Sequence, residues 1–307
     1  MQLPSLNFGE LVARLPIIQG GMGVGVSLSG LASAVANEGG VGVIATAMIG
    51  MKDPHRSTDP IGADNRILSD EIHKAHENMI DGLLGVNIMC ALTNFKELVV
   101  TSLKEKVDVI FSGACLPLDL PKYLGEVSEE LKEKLRTKLV PIVSSGRAAS
   151  ILCRKWLSKF DYLPDGFVVE GPRAGGHLGF KPDQIDDPNF SLETIVDDVI
   201  KAVKPYAEKA KRHIPVIAAG GVYSGKDIAR FLKMGASGVQ MGTRFVATHE
   251  CDADIAFKNA YLAARKEDMT IIKSPVGLPG RALTNSFLDD VAKGKRTPRK
   301  CIFKCLH

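Results

Sequence analysis

The sequence predicts an α/β protein built as a single-domain (β/α)8 TIM barrel. Short β-rich runs alternate with longer helical patterns, the runs number eight, and most are continuously apolar rather than alternating. Continuous apolar strands are covered on both faces, as a barrel wall wrapped by helices requires. The runs are 16–20, 41–46, 84–89, 107–112, 140–144, 166–170, 215–219 and 238–241. An open doubly wound sheet is the alternative, and the end-to-end repeat of one unit favours closure.

Helical stretches lie between and after these runs, at 28–37, 69–80, 95–105, 128–138, 148–160, 191–211, 224–234 and 252–265. Ser224 is a cap for its stretch, which Gly235 ends, and Ser191 and Thr194 stand where 191–211 begins. The segment 50–66 reads as an extended polar loop placed to cover a site. The expected organisation is an N-terminal segment (1–14), the barrel (15–283) and a basic, cysteine-containing C-terminal segment (284–307).

Composition narrows the class. The chain has 307 residues, 45% apolar and 24% charged, enough for a large core without disulfides or structural metals. The net charge of +4 is weak and spread out, which argues against nucleic-acid binding. The one dense basic run, Lys293 to Lys300, reads as a solvated connector. No secretory signal pattern opens the chain, and no apolar stretch reaches the ~20 residues of a membrane helix. A cytoplasmic protein is expected. Cys90, Cys115, Cys153 and Cys251 read as reduced, packed thiols. Cys301, Cys305 and His307 lack a fourth ligand, so no metal site is expected.

In such barrels the chemistry lies at the C-terminal ends of the strands. Glycine concentrates there: Gly20, Gly21 and Gly23 after run one, Gly175, Gly176 and Gly179 after run six, Gly220 and Gly221 after run seven, Gly242 after run eight. The turns after runs seven and eight suit a phosphate, because glycine lets main-chain N–H groups approach an anion and Ser224 opens a helix beside them. Ordinary tight turns are the alternative. His177, in Gly-Gly-His-Leu-Gly, is the best candidate for proton exchange near neutral pH. His55 lies in a loop that could approach the site; His73 and His76 read as solvated. Glu170 ends an apolar strand and needs a partner, either a cofactor or Arg173. Asn87 offers a donor and an acceptor to a heterocycle edge, or caps a loop.

Five motifs carry a resemblance: Pro-Ile-Ile-Gln-Gly-Gly-Met-Gly (16–23), Gly-Val-Asn-Ile-Met (85–89), Glu-Gly-Pro-Arg-Ala-Gly-Gly-His-Leu-Gly (170–179), Pro-Val-Ile-Ala-Ala-Gly-Gly-Val (215–222) and Gln-Met-Gly-Thr-Arg-Phe (240–245). In this order and spacing the chain resembles the nitronate monooxygenases, formerly 2-nitropropane dioxygenases, which are similar to flavin-type enoyl-acyl carrier protein reductases. The resemblance implies FMN, contacted by Gly21, Met22, Asn87, Glu170, Gly175, Gly221, Gln240, Met241, Gly242 and Thr243, with Gly176 and Gly220 in the same turns. It makes His177 the catalytic histidine. The Glu170 position is often glutamine in the monooxygenases and glutamate in the reductases, whereas Ser-Pro-Val-Gly-Leu-Pro-Gly-Arg (274–281) looks more like the monooxygenases.

The implied reaction is oxidation of an alkyl nitronate with O2 to a carbonyl compound and nitrite. The competing readings are an NAD(P)H-dependent reductase of enoyl thioesters or quinones, and a non-catalytic flavin-binding module. The expected partners are a small-molecule substrate and O2, with a homodimer left open. Similar chains often continue past 301–307 with further cysteines, so a stop short of a natural end is expected.

Overall fold

Eight parallel strands close into a barrel in the structure, a computed structural model that describes residues 3–274 and 278–296. An antiparallel hairpin, β1 (Leu6–Phe8) and β2 (Leu11–Ala13), comes first. The wall is β3 (Ile17–Gln19), β4 (Val41–Ala45), β5 (Leu83–Met89), β6 (Val109–Gly113), β7 (Lys138–Val143) and β8 (Phe167–Glu170), completed by β10 (Val216–Ala219) and β11 (Gly238–Met241). The two-residue β9 (Gly176–His177) lies outside it. Each wall strand pairs with its neighbours in sequence order, and β11 against β3 closes the ring. All eight predicted runs overlap these strands.

The unbroken apolar runs are explained by two cores. Inside the wall, Ile18, Val43, Phe111, Val140, Val168 and Ile217 pack together. Alternate residues, among them Ile44, Val86, Ile110, Val169, Ala218 and Val239, face the helices. Leu6, Phe8, Leu11 and Ala13 of the hairpin join the inner core, and Phe8 meets Phe111 edge-on at 6.5 Å. Residues before Leu15 thus belong to the packing of the barrel interior.

The helices are α1 (Ser29–Asn37), α2 (Pro60–Asn78), α3 (Phe95–Lys104), α4 (Glu129–Lys132), α5 (Gly146–Phe160), α6 (Leu192–Ala210), α7 (Gly225–Lys233), α8 (Thr243–Val246), α9 (Ile255–Ala263) and α10 (Ser286–Ala292). The serine caps stand where the sequence puts them. Ser191 accepts from the Thr194 amide, and Ser224 forms a capping box with Asp227.

Two stretches differ from expectation. The polar stretch 50–66 is not an extended loop: a 3-10 turn fills Ile49–Lys52, and α2 begins at Pro60. Asp59 caps α2 by accepting from the Gly62 amide, and proline suits the first helical position. The stretch 128–138 holds only the single turn of α4, because it is densely charged and α4 itself buries no residue. Strand β7 has already started at Lys138.

Beyond the eighth unit, β12 (Met269–Lys273) and β13 (Pro279–Leu283) form a three-stranded antiparallel sheet with β9. The cysteines also divide. Cys153 and Cys251 are buried free thiols, as expected. Cys90 and Cys115 are joined as a disulfide instead of standing as separate thiols. The register pairs Met89 with Gly113, so the residues that leave β5 and β6 emerge side by side. Cys301, Cys305 and His307 lie outside the described residues. Among the described residues no helix is long and apolar enough to cross a membrane, and no cluster of three or more His, Cys, Asp or Glu could hold a metal ion.

Candidate functional site

The strand ends bring the predicted residues to one mouth. Register sets Ala219 beside both Glu170 and Gln240 on neighbouring strands, and Asn87 beside Ala45. Gly20 lies against the Gln240 side chain, where an added Cβ would stand 3.1 Å from its Cγ. At Gly21 a Cβ would overlap the Cβ of Asn87, so only glycine lets the β3 loop cross the end of β5. A Cβ on Gly242 would meet the Met22 sulfur at 3.6 Å. The loop after β3 therefore touches both the C-terminal half of β5 and the turn after β11. Gln19, buried just before them, accepts from the Val43 amide at 2.9 Å and braces β3 against β4, where the register has one pair.

The two glycine turns also converge. Gly220 is left-handed (φ 90°), and a Cβ there would press to 3.0 Å from the Ala174 amide and the Gly171 carbonyl. Gly221 follows with φ 94° and is exposed; among the described residues its amide donates to no protein acceptor. Tyr223 then reaches across to the β11 turn. The Arg244 guanidinium stacks on its ring at 4.3 Å, and Arg244 Nε donates to the Tyr223 carbonyl at 3.0 Å. Sequence reasoning missed this clamp, although Arg244 stands inside the quoted Gln-Met-Gly-Thr-Arg-Phe motif. Two amides of the first turn are not available to an anion: Asp227 accepts from the Tyr223 and Ser224 N–H groups. Thr243 is exposed, and Gly242 caps α8. Met241 has its side chain in the outer core, so only its main chain is at the mouth.

His177 is exposed in β9 and is held from a distance. It pairs with Gly280, Gly176 pairs with Arg281, and the Leu178 amide donates to the Pro279 carbonyl at 2.9 Å. The Arg281 side chain grips the approach to this loop, donating to the Ala174 carbonyl at 3.2 Å and the Pro172 carbonyl at 3.0 Å. Leu178 is buried in the core immediately after His177. Both ends of the histidine segment are therefore anchored. In front of it, a Cβ on Gly175 or Gly176 would meet nothing within 4 Å, which leaves room for a ligand against the main chain.

Glu170 is half-buried and, among the described residues, its carboxyl has no ion-pair or hydrogen-bond partner. Desolvation pushes its carboxyl up to about 7. The Arg173 pairing is not formed; the stem of Arg173 lies against Gly221 instead. A carboxyl that holds its proton near neutrality can donate or accept, which matches a heterocycle edge better than a structural ion pair. Converging glycine turns, an open Gly221 amide and an unpartnered carboxyl at the strand ends fit a phosphorylated flavin.

Two other described histidines have local roles in their own segments. His55 is exposed in the turn before α2, where its main chain serves Thr58 and Asp59. His73 pairs with Glu105 at 2.6 Å on an exposed helix face. A cavity of about 110 Å³ opens instead around Thr46, Met48, Arg56, Asp64 and Leu92 to Asn94, flanking the ends of β4 and β5. Its wall is mixed, and the polar part is tied together: Asp64 pairs with Arg56 and accepts from the Gly50 amide and the Asn94 side-chain amide.

The chain is similar to several known proteins. A carboxyl-CoA dehydrogenase of a methyl-oxo-octahydroindene substrate from Rhodococcus jostii is 29% identical over 283 residues, covering 92% of this chain and 66% of that protein. The chain thus spans just under two thirds of that relative's length. A probable nitronate monooxygenase from Staphylococcus aureus is 25% identical, over 92% of this chain and 79% of that one. The structure of FabK from Thermotoga maritima superposes with a TM-score of 0.67 at 29% identity, covering 91% of this chain and 74% of that chain. A nitroalkane oxidase from Streptomyces ansochromogenes shares the fold, with a TM-score of 0.68 at 22% identity over 90% and 78% of the two chains. The nitronate monooxygenase family model matches residues 8–302, nearly the whole chain, and the protein belongs to that family of oxidoreductases.

Proposed function

We propose that the 15–283 barrel binds FMN and oxidises alkyl nitronates with O2, yielding a carbonyl compound and nitrite. The observation that carries this reading is the exposed, doubly anchored His177 beside open main chain at the mouth where the glycine turns converge. Gly221, Gly242 and Thr243 would hold the FMN phosphate through main-chain N–H groups. Asn87, Glu170 and Gln240 would offer hydrogen bonds to the flavin ring, and Gly21 and Met22 would complete its binding surface. When bound, FMN supplies the electron acceptor and the reaction with O2. His177 holds the nitronate anion as a cation, or as a neutral base removes the proton on the carbon next to the nitro group. The test is oxygen uptake by FMN-loaded protein with ethylnitronate or propionate 3-nitronate; no uptake would sink this reading.

A second reading has its own support. Glu170, where the reductases often carry glutamate, and the relative acting on a carboxyl-CoA compound favour a thioester substrate with NAD(P)H as electron donor. In that case NADH or NADPH bleaches the flavin without oxygen, and His177 delivers a proton to the reduced substrate. The cytoplasm is the expected compartment for either chemistry. A non-catalytic flavin module predicts that His177→Ala changes nothing measurable.

A further inference from the structure

The disulfide is the feature of this mouth that neither reading uses. Cys90 follows Met89, the last residue of β5, and Cys115 stands two residues after the end of β6. The Cys90 amide donates to the Gly113 carbonyl at 2.8 Å, and Ala114 is left-handed (φ 66°), turning Cys115 back towards Cys90. Their Cα atoms are 5.7 Å apart, inside the range a disulfide spans without backbone movement. The two pairs of cysteines differ in access. Cys115 is exposed and Cys90 half-buried, whereas Cys153 and Cys251 are buried, and burial pushes the Cys153 thiol up to about 12. Thiol chemistry needs thiolate and access, so among the described cysteines it is confined to the first pair.

The location gives the bond a consequence. Cys90 lies three residues after Asn87, and the chain from Cys90 runs directly into Leu92, Thr93 and Asn94, which line the 110 Å³ cavity. Asn94 is buried and donates to Asp64 in the opposite wall. A bond from Cys90 to the β6 loop therefore fixes the near side of that cavity.

We propose that Cys90 and Cys115 form a reversible dithiol–disulfide site at the barrel mouth, closed by hydrogen peroxide, whose state sets the mobility of the 90–94 loop and access to the cavity it lines. The Cys115 thiolate attacks one peroxide oxygen; the O–O bond breaks, and with one proton a water leaves and a sulfenic acid remains. The Cys90 sulfur attacks the sulfenic sulfur, the S–O bond breaks, and the hydroxyl leaves as a second water with the Cys90 proton. Two thiols and one peroxide thus give one disulfide and two waters, with two electrons passing from sulfur to oxygen. An external dithiol reverses this by exchange, becoming the disulfide itself.

The test uses the full chain and needs no substrate. Protein reduced with dithiothreitol and desalted is titrated with hydrogen peroxide, quenched with N-ethylmaleimide and mapped by peptide mass spectrometry. The expected result is joint loss of label from Cys90 and Cys115 with appearance of their cross-linked peptide, and recovery of both labels with dithiothreitol. Hydrogen exchange at 92–94 is expected to slow at least ~10-fold in the oxidised form, with no such change in Cys90→Ser or Cys115→Ser protein. Independent labelling of the two residues, resistance of the native bond to dithiothreitol, or equal exchange in both states would each overturn the proposal. Should the serine variants fail to fold, the wild-type labelling and exchange still decide it.

Discussion

The mouth of this barrel is furnished in two different ways. Asn87, Glu170 and Gln240 stand on wall strands, and ladder register fixes them to within one residue. His177 stands on a two-residue strand outside the wall, held by β13 and Arg281 more than a hundred positions later. A rigid wall suits groups that grip a large planar ligand. A separately anchored loop suits a group that meets a substrate entering and leaving. Binding and turnover should therefore be separable by mutation.

The largest effect expected is on turnover. His177→Ala should lower kcat/KM by about 10²–10⁴-fold, the range for loss of a positioned acid or base, while the flavin dissociation constant stays within a factor of ~3. Steady-state kinetics and flavin fluorescence titration measure the two. Equal damage to both would erase the distinction between wall and loop. The converse change is Gly21→Ala, whose Cβ would collide with Asn87. Overpacking of ~1–3 kcal/mol should weaken flavin binding by about 10- to 100-fold. Once saturated with flavin, this variant should retain most of its kcat.

Arg281→Ala sharpens the comparison because the bonds it removes go to the main chain that leads into the histidine loop. It removes two charged-donor hydrogen bonds to the Pro172 and Ala174 carbonyls, partly exposed, so about a tenfold fall in kcat/KM is expected with flavin affinity intact. Arg281→Lys should recover only part of it, since one ammonium cannot reproduce the guanidinium fork. A fall confined to flavin affinity would place Arg281 with the wall.

The same division governs what the sequence disclosed. Strands β3 to β8, β10 and β11 were legible because burial on two faces leaves continuous apolar runs, and the strand-end residues came with them. The support for His177 was not legible. Met269–Lys273 alternates between exposed and half-buried and follows the eighth unit, so nothing local marks it as the outer strand of a sheet that reaches back to β9. The Cys90–Cys115 contact was hidden for a similar reason, since it depends on register between β5 and β6 across 25 residues. By contrast, the start of α2 was written locally in Asp59-Pro60, and the polar character of 50–66 masked it.

Glu170 offers the smallest effect and the finest test, because its desolvated carboxyl carries a stability signature of its own. Unfolded, it titrates near the ordinary 4.5; folded, desolvation raises it to about 7. Below 4.5 both states hold the proton and the residue adds no pH-dependent cost. Between 4.5 and 7 the unfolded chain ionises first, so stability falls as pH rises, and above 7 the deficit is complete. Glu170→Gln keeps the shape and removes the ionisation. The flavin-free variant should melt ~2 °C or more above the parent at pH 8 and at the same temperature at pH 4.5, read by thermal denaturation. Flavin should narrow the pH 8 gap if the carboxyl meets the ring edge, because bonding to a ligand relieves the isolation that raised its pKa. A gain equal at both pH values would assign Glu170 to packing and leave Asn87 and Gln240 as the wall's polar contacts.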